Sequence, residues 1–226
     1  MNNLTIKQVE SDGELRAFIN FPWRVYKDDP NWVPPLRLQI KEKLNRKKNP
    51  FFEHAEMALF LARRGKETVG RIAAIVDFNH NEYHQEKVVF FGLYESLNDE
   101  QVARLLLETV IDWGQKRGME ILRGPVNLSM NDECAFLLEG FDSPPTIMMP
   151  YNPPYYIELM EKCGLTKAKD LYAYFMDRDH KTEQQVKEVV GKIRQATSFQ
   201  MRIANLRKIQ EETKKIAYIY NQAWAK

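Results

Sequence analysis

The sequence predicts a mixed, mostly antiparallel α/β sheet with helices on both faces. Three observations predict it. Apolar runs of strand length, "MALFLARR", "TVGRIAAIV" and "KVVFFGLYE", follow one another in the middle of the chain. A long amphipathic helix comes next, and strands then alternate with helices. The whole order reads β–α–α–β–β–β–α–β–α–β, hairpins first and crossovers later.

Each element has its own local reason. "LTIKQVE" alternates Leu4 and Ile6 with Thr5 and Lys7, a short strand. Asp12 is the expected cap of a helix carrying Leu15, Phe18, Ile19 and Val25, which Pro22 should split. "DDPNWVPPLR" reads as a proline-rich loop before a helix with Leu36, Ile40 and Leu44 on one stripe, ended at Asn49-Pro50. "GKE" joins two strands as a hairpin, and "DFNHNEYHQE" reads as a polar loop. In "NDEQVARLLLETVIDWGQKRG", Asn98 is the expected cap, Val102, Leu105, Leu106, Val110 and Trp113 form the stripe, and Gly118 the stop. "MEILRGPVNLSM" and "LYAYFMD" read as strands on either side of the helix "YYIELMEKCG".

Composition narrows the function classes. The 226 residues carry 33 basic and 31 acidic side chains, a net charge of +2. No global field therefore points to nucleic acid or to an acidic membrane surface, and the basic run Lys41 to Lys48 reads as a solvated helix face. No apolar run approaches the roughly 20 residues of a membrane span. Cys134 and Cys163 are the two cysteines, too few for a disulfide framework. "MNNLTIKQVE" lacks the apolar core of a signal peptide. Together these readings predict a cytoplasmic protein with neither nucleic-acid nor membrane partners.

Two stretches offer a ligand site. In "GPVNLSMNDEC", Asn127, Ser129, Asn131 and Glu133 recur at every second residue. On a strand that period lines up two amides, a hydroxyl and a carboxylate on one face. Such a row can bind a polar substrate, with Glu133 as base for an amine; in an irregular loop the same residues would satisfy their own backbone. "MMPYNPPYY", residues 148–156, sets Met148, Met149 and Tyr151 among three prolines. Asn152 is the expected cap and Pro153 the first helical residue, so the segment can form a rigid apolar wall tipped with phenols. Tyr155 or Tyr156 is a candidate proton donor. "FPWRVYKDDPNWVPPL" adds Arg24 and Trp32 as contact residues, with Trp23 read as core. His80 and His84, four apart in "HNEYH", lack the metalloprotease order and read as loop hydrogen-bonding groups, with no metal expected.

The C-terminal stretch echoes the N-terminal one. "FQMRIANLRKIQEETKKIAYIYNQAW" and "LTIKQVESDGELRAFINFPWRVY" each set a short alternating strand before a helix ending in aromatics. The expected organisation is a domain over 1–180, a charged helical connector over 181–198 and the start of an incomplete second unit over 199–226.

The element order, with "EKCGL" and the strand predicted after it, resembles the GNAT superfamily of acyl-CoA N-acyltransferases. "KKNPFFEHAE", "GRIAAIVDFNHNEYH" and "ECAFLLEGFDSPPTIMMPYNPPYY" look like a group of bacterial GNAT-like proteins built from two such halves. The resemblance implies acyl transfer, from acetyl-CoA or another acyl-CoA, to a small-molecule or peptide amine. It also implies contact with a second GNAT-like half. The alternative reading is a catalytically silent cleft that binds a peptide or amino-acid derivative. Two departures bear on the choice. Where the superfamily carries a glycine-rich phosphate turn, this chain has "FGLYESLNDEQVA", with Gly92 inside the strand and Glu95, Asp99 and Glu100 where two phosphates should sit. Aligned on Gly164, Met160 stands at the position of the superfamily's acid tyrosine.

Overall fold

The computed structural model describes residues 3–175, 182–196 and 202–224. Two units divide the chain, Met1–Leu171 and Tyr172–Lys226. The first is a five-stranded sheet in the order β1 (Leu4–Gln8), β2 (Ala55–Arg64), β3 (Glu67–Asp77), β4 (Val88–Ser96), β5 (Ile121–Arg123). The first three pairings are antiparallel, and β4–β5 is parallel. This is the mixed sheet that the sequence predicts.

Helices cover both faces, so the central strands are buried on both sides. On one face α5 (Glu100–Gln115) and α6 (Tyr155–Lys162) pack on Phe60, Ile72, Ala74 and Phe91. On the other, α1 (Asp12–Asn20) and α3 (Arg37–Lys43) lie over Met57, Leu61, Ala73, Ile75 and Phe90. Neighbouring residues of one strand serve opposite cores, as the period of two requires. Each fully buried Leu, Ile or Phe contributes about 1.5–3 kcal/mol, and Phe18, Phe90, Phe91, Leu61, Ile72, Ile75 and Leu106 are all essentially inaccessible.

Local chemistry shifts several expected boundaries. Ser11, not Asp12, caps α1: its hydroxyl accepts from Glu14 N at 3.2 Å while Glu14 reaches back to Ser11 N at 3.1 Å, a reciprocal box. Pro22 does break the helix, and α2 (Pro22–Val25) follows as one turn. Asp99, not Asn98, caps α5. Residues 78–84 are not a loop. Asp77 accepts from Asn79 N and His80 N and starts the helix α4 (Phe78–His84), within which the His80 and His84 rings lie 4.4 Å apart. Leu171 to Phe175 form no strand, and Met176 and Asp177 lie outside the described residues.

The second unit holds α7 (Thr182–Ala196), a 3-10 turn at Leu206–Lys208 and α8 (Ile209–Trp224). Residues 202–205, at the end of the strand expected in "FQMRIAN", have no regular structure, and 199–201 lie outside the described residues.

What positions the site is an irregularity in β4. Arg71 pairs with Glu95 and Ala73 with Gly92, so Ile72 alone faces both Leu93 and Tyr94, a bulge. Leu93 takes a φ of +47° there. β5 ends at Arg123, and the chain then crosses β4 at very short range. Val126 N donates to Phe91 O at 2.8 Å. A Cβ on Gly92 would lie 1.9 Å from Val126 O, and one on Gly124 2.4 Å from Phe91 O. Only glycine permits that approach. Gly92→Ala is expected to cost about 1–3 kcal/mol or more in chemical denaturation. Gly13→Ala, whose Cβ would meet nothing closer than 3.9 Å, should be near neutral. Equal stability of the two variants would contradict this packing.

Candidate active site

Past the bulge, β4 places a carboxylate at a junction of three elements. Glu95 Oε2 accepts from the Tyr26 hydroxyl after α2 at 2.9 Å and from the Tyr156 hydroxyl on α6 at 2.8 Å. Its other oxygen lies 3.6 Å from Arg71 Nη2 on β3. Arg71 in turn donates to Phe18 O at 2.9 Å and lies over the Phe18 ring. Both charged side chains are nearly closed off from solvent, at 7% and 12% exposure. Burial raises the Glu95 carboxyl above the ordinary range, and Arg71, Tyr156 and Tyr26 only partly oppose it.

The network continues along the β4 backbone. Tyr156 OH accepts from Ser96 N at 2.8 Å, Tyr155 OH donates to Ser96 O at 2.8 Å, and Tyr94 OH lies 2.6 Å from Ser96 Oγ. Burial pushes the Tyr155 phenol up to about 12. The backbone edge between β4 and α6 is therefore already taken by phenols. Asp99 accepts from Gln101 N and Val102 N and pairs with Arg64 at 2.7 Å. The amides at the start of α5 thus serve the protein's own carboxylate. The residues here do not fit the diphosphate of coenzyme A.

Two open clefts lie outside this network, with none of its residues in their lining. The first, about 670 Å³, is lined by Arg24, Asp28, Asp29, Asn31, Tyr151 and Pro154. Tyr151 donates to both Asp29 oxygens at 2.9 Å, and its phenol is pushed up to about 12 by burial and the Asp29 carboxylate. Arg24 is held by Thr68 O at 2.8 Å and by an ion pair with Glu67. Trp32 stacks on Tyr26 with centroids 4.9 Å apart and meets Trp23 edge-on.

The second cleft is a groove of about 760 Å³ between α3, the 3-10 turn at Pro50–Glu53, the start of α4 and the loop 128–133. Ser129, Asn131, Glu133 and Met148 line it with Glu42, Lys43, His54 and Asp77. Ser129 Oγ donates to Asp132 Oδ2 at 2.7 Å, and Asp132 Oδ1 binds Lys43 at 2.8 Å. His54 Nδ1 lies 3.0 Å from Asp77 Oδ1.

The row Asn127 to Glu133 is therefore not a strand. β5 ends at Arg123, a cis Gly124-Pro125 bond follows, and Leu128 sits at φ +90°. The alternation survives only in part: Ser129, Asn131 and Glu133 share the groove, whereas Asn127 turns to the bulge. Its Oδ1 accepts from Leu93 N at 2.8 Å, and its Nδ2 reaches Glu133 Oε2 at 3.3 Å. Asn152 does not cap α6. It is buried and accepts from Leu137 N at 2.6 Å, and Pro154 occupies the cap position. The proline segment walls both clefts, with Met148 in one and Tyr151 in the other. Met160 is buried core.

Sequence reasoning passed over Arg71, His54 and Asp77, and read Glu95 only as a charge opposed to phosphate. A signal was present. Arg71 is the single charge inside "TVGRIAAIV", and Glu95 is the only one inside "VVFFGLYES". Charges embedded in apolar strands are buried only when paired.

Glu95→Ala is expected to cost about 3–5 kcal/mol, because it leaves Arg71 buried without its partner. Tyr156→Phe should cost about 1–3 kcal/mol. The Glu95 carboxyl is raised in the folded state, so its contribution is fully present below the ordinary glutamate value and is lost as pH rises through the folded one. Urea titrations across that window should show stability falling with pH, and Glu95→Gln should flatten the slope. A wild-type slope unchanged in Glu95→Gln would contradict the assignment.

No family model matches the chain. Over 212 residues, 93% of this chain, it is 34% identical to Protein YghO of Escherichia coli (strain K12). Over 224 residues, 99% of this chain, it is 34% identical to a bacterial ceramide synthase of Caulobacter vibrioides (strain NA1000 / CB15N). The chain spans 54% and 58% of the length of these curated relatives. Among solved structures, it is similar to a tandem GNAT protein from the clavulanic acid biosynthesis pathway. The TM-score is 0.50 at 13% identity, covering 72% of this chain and 43% of that one. The five-stranded sheet with its parallel β4–β5 pair and that structural likeness agree, and the chain has the fold of the GNAT superfamily.

Proposed function

We propose that this chain takes part in N-acyl transfer and that it holds the amine acceptor, not the phosphates of an acyl donor. The observation that carries the reading is the 760 Å³ groove, where the Glu42 and Glu133 carboxylates, the Asn131 amide and the His54–Asp77 pair converge beside the apolar Phe51, Leu128 and Met148. Carboxylates and amide oxygens suit a positively charged, donor-rich headgroup, and the apolar residues suit a hydrocarbon portion. Ser129 and Asn131 bind the acceptor in this reading, and Glu133 pairs with its ammonium. The cleft at Arg24 and Tyr151 is separate from this groove and shares no lining residue with it.

The GNAT fold supports acyl transfer as the reaction class. Ceramides are N-acylated amines, so the name of the Caulobacter relative also supports amide formation. It favours longer acyl chains and longer amines than an acetyl transfer would use. The donor side argues in the opposite sense for these residues. Asp99 with Arg64, and the tyrosines on Ser96, occupy the groups that a coenzyme A diphosphate and its arm would need. A second GNAT-like half in a longer protein supplies the donor site in this account, and residues 199–226 open that half. A silent binding module is the second reading, favoured by the same self-capped start of α5.

Isothermal titration separates these possibilities. The chain should give no heat with acetyl-CoA or palmitoyl-CoA. It should bind at least one of ethanolamine, octylamine and a long-chain 2-amino-1,3-diol. Glu133→Gln should weaken that binding roughly tenfold or more. Tight acyl-CoA binding with no amine binding would overturn the reading. Joined to a donor-binding half, the chain should release thiol in the presence of the amine; binding without any release would leave the silent module.

A further inference from the structure

We propose that His54, oriented by Asp77, is the proton acceptor for the ammonium group bound in the groove, an assignment that rests on the amine-holding reading above. The two residues come from adjoining strand ends. His54 directly precedes β2, Asp77 closes β3, and the antiparallel register pairs Ala55 with Asp77. The sheet itself fixes their separation. Asp77 is buried, and its Oδ1 already accepts from Asn79 N at 3.1 Å and His80 N at 3.2 Å. At 3.0 Å from that oxygen, His54 Nδ1 is the donor, which leaves a lone pair on Nε2. Among the described residues nothing bonds to Nε2, and the side chain is one-third exposed where it lines the groove. Phe51 packs edge-on against the ring and restricts its rotation.

That is the arrangement by which a carboxylate sets the tautomer of a basic imidazole. The charged groups around the groove are Glu42 and Lys43 from α3, Asp77 from β3, and Asp132 and Glu133 from the loop. Lys43 is bound to Asp132, so the remaining carboxylates favour a cation beside the imidazole. In the step, an N–H bond of the ammonium breaks and its proton moves to Nε2. The electron pair stays on nitrogen as the neutral, nucleophilic amine, and the imidazolium passes the proton to solvent from its exposed side. Glu133 then pairs with the ammonium before transfer, and His54 takes the proton.

The test uses the whole chain labelled with ¹⁵N, with octylamine as the probe. Two-bond ¹H–¹⁵N spectra should show His54 protonated at Nδ1 and bare at Nε2, and octylamine should shift the Nε2 resonance. Titration calorimetry in two buffers of different ionisation enthalpy should detect proton release on binding. His54→Gln should keep the circular dichroism spectrum and abolish the proton release. A bare Nδ1, or amine binding that is sensitive to Glu133→Gln while His54 Nε2 stays unmoved, would overturn the role of His54 alone. Absence of any amine binding would overturn both this assignment and the reading on which it rests.

Discussion

The Glu95 carboxylate is the point on which the site's geometry depends. β3, α2 and α6 come from distant parts of the chain, and each sends one polar group to it: Arg71, the Tyr26 hydroxyl reached from α2, and Tyr156. A carboxylate so nearly closed off from water is tolerable only with such partners. Satisfying it fixes where α2 lies, where α6 begins and how the end of β4 is held. Tyr26 OH also lies 3.3 Å from Tyr151 O, so the Tyr151 wall of the first cleft is tied to the same node.

The bulge one step earlier extends that order to the groove. An extra residue in β4 frees the Leu93 amide from the ladder, and Asn127 accepts from it. Asn127 then leans its amide on Glu133, which ties the loop 128–133 to the sheet. Gly92 and Gly124 let the intervening segment press on β4 without a side chain between them. The loop is thus tied to β4 through Asn127 and closed on Asn127 again at Glu133, and it presents Ser129, Asn131 and Glu133 to one side. A rigid scaffold with functional groups on an irregular segment is a common division of labour.

Much of the fold is legible because its elements are long and strongly patterned. β2, β3 and β4 are continuous apolar runs buried on both faces, and α5 carries a regular apolar stripe, so all four are plain in the letters. The short or irregular pieces are harder to read. "DFNHNEYHQE" carries no apolar stripe, so its helix depends on a single capping carboxylate, Asp77. "NLSMNDE" has the period of a strand, yet proline at 125 and the close crossing at Gly92 end pairing before it. The polar residues that the sequence singles out fall into two clefts because spacing along a chain does not say which loop turns which way. The pairings of Glu95 and His54 escape notice for a related reason. Their partners lie 24 and 23 residues away on neighbouring strands, and only the register brings Arg71 to Glu95 and Asp77 to His54.

The central claim is that this chain holds an amine in the groove beside His54 and leaves an acyl donor's phosphates to other residues. Backbone amide chemical-shift mapping tests it most directly, with octylamine and coenzyme A added separately to the labelled chain. The account predicts octylamine shifts at residues 39–54, 77–79 and 128–133, and none from coenzyme A at Ser96 to Val102. Coenzyme A shifts concentrated at Ser96 to Val102, with the groove unmoved by amine, would contradict it.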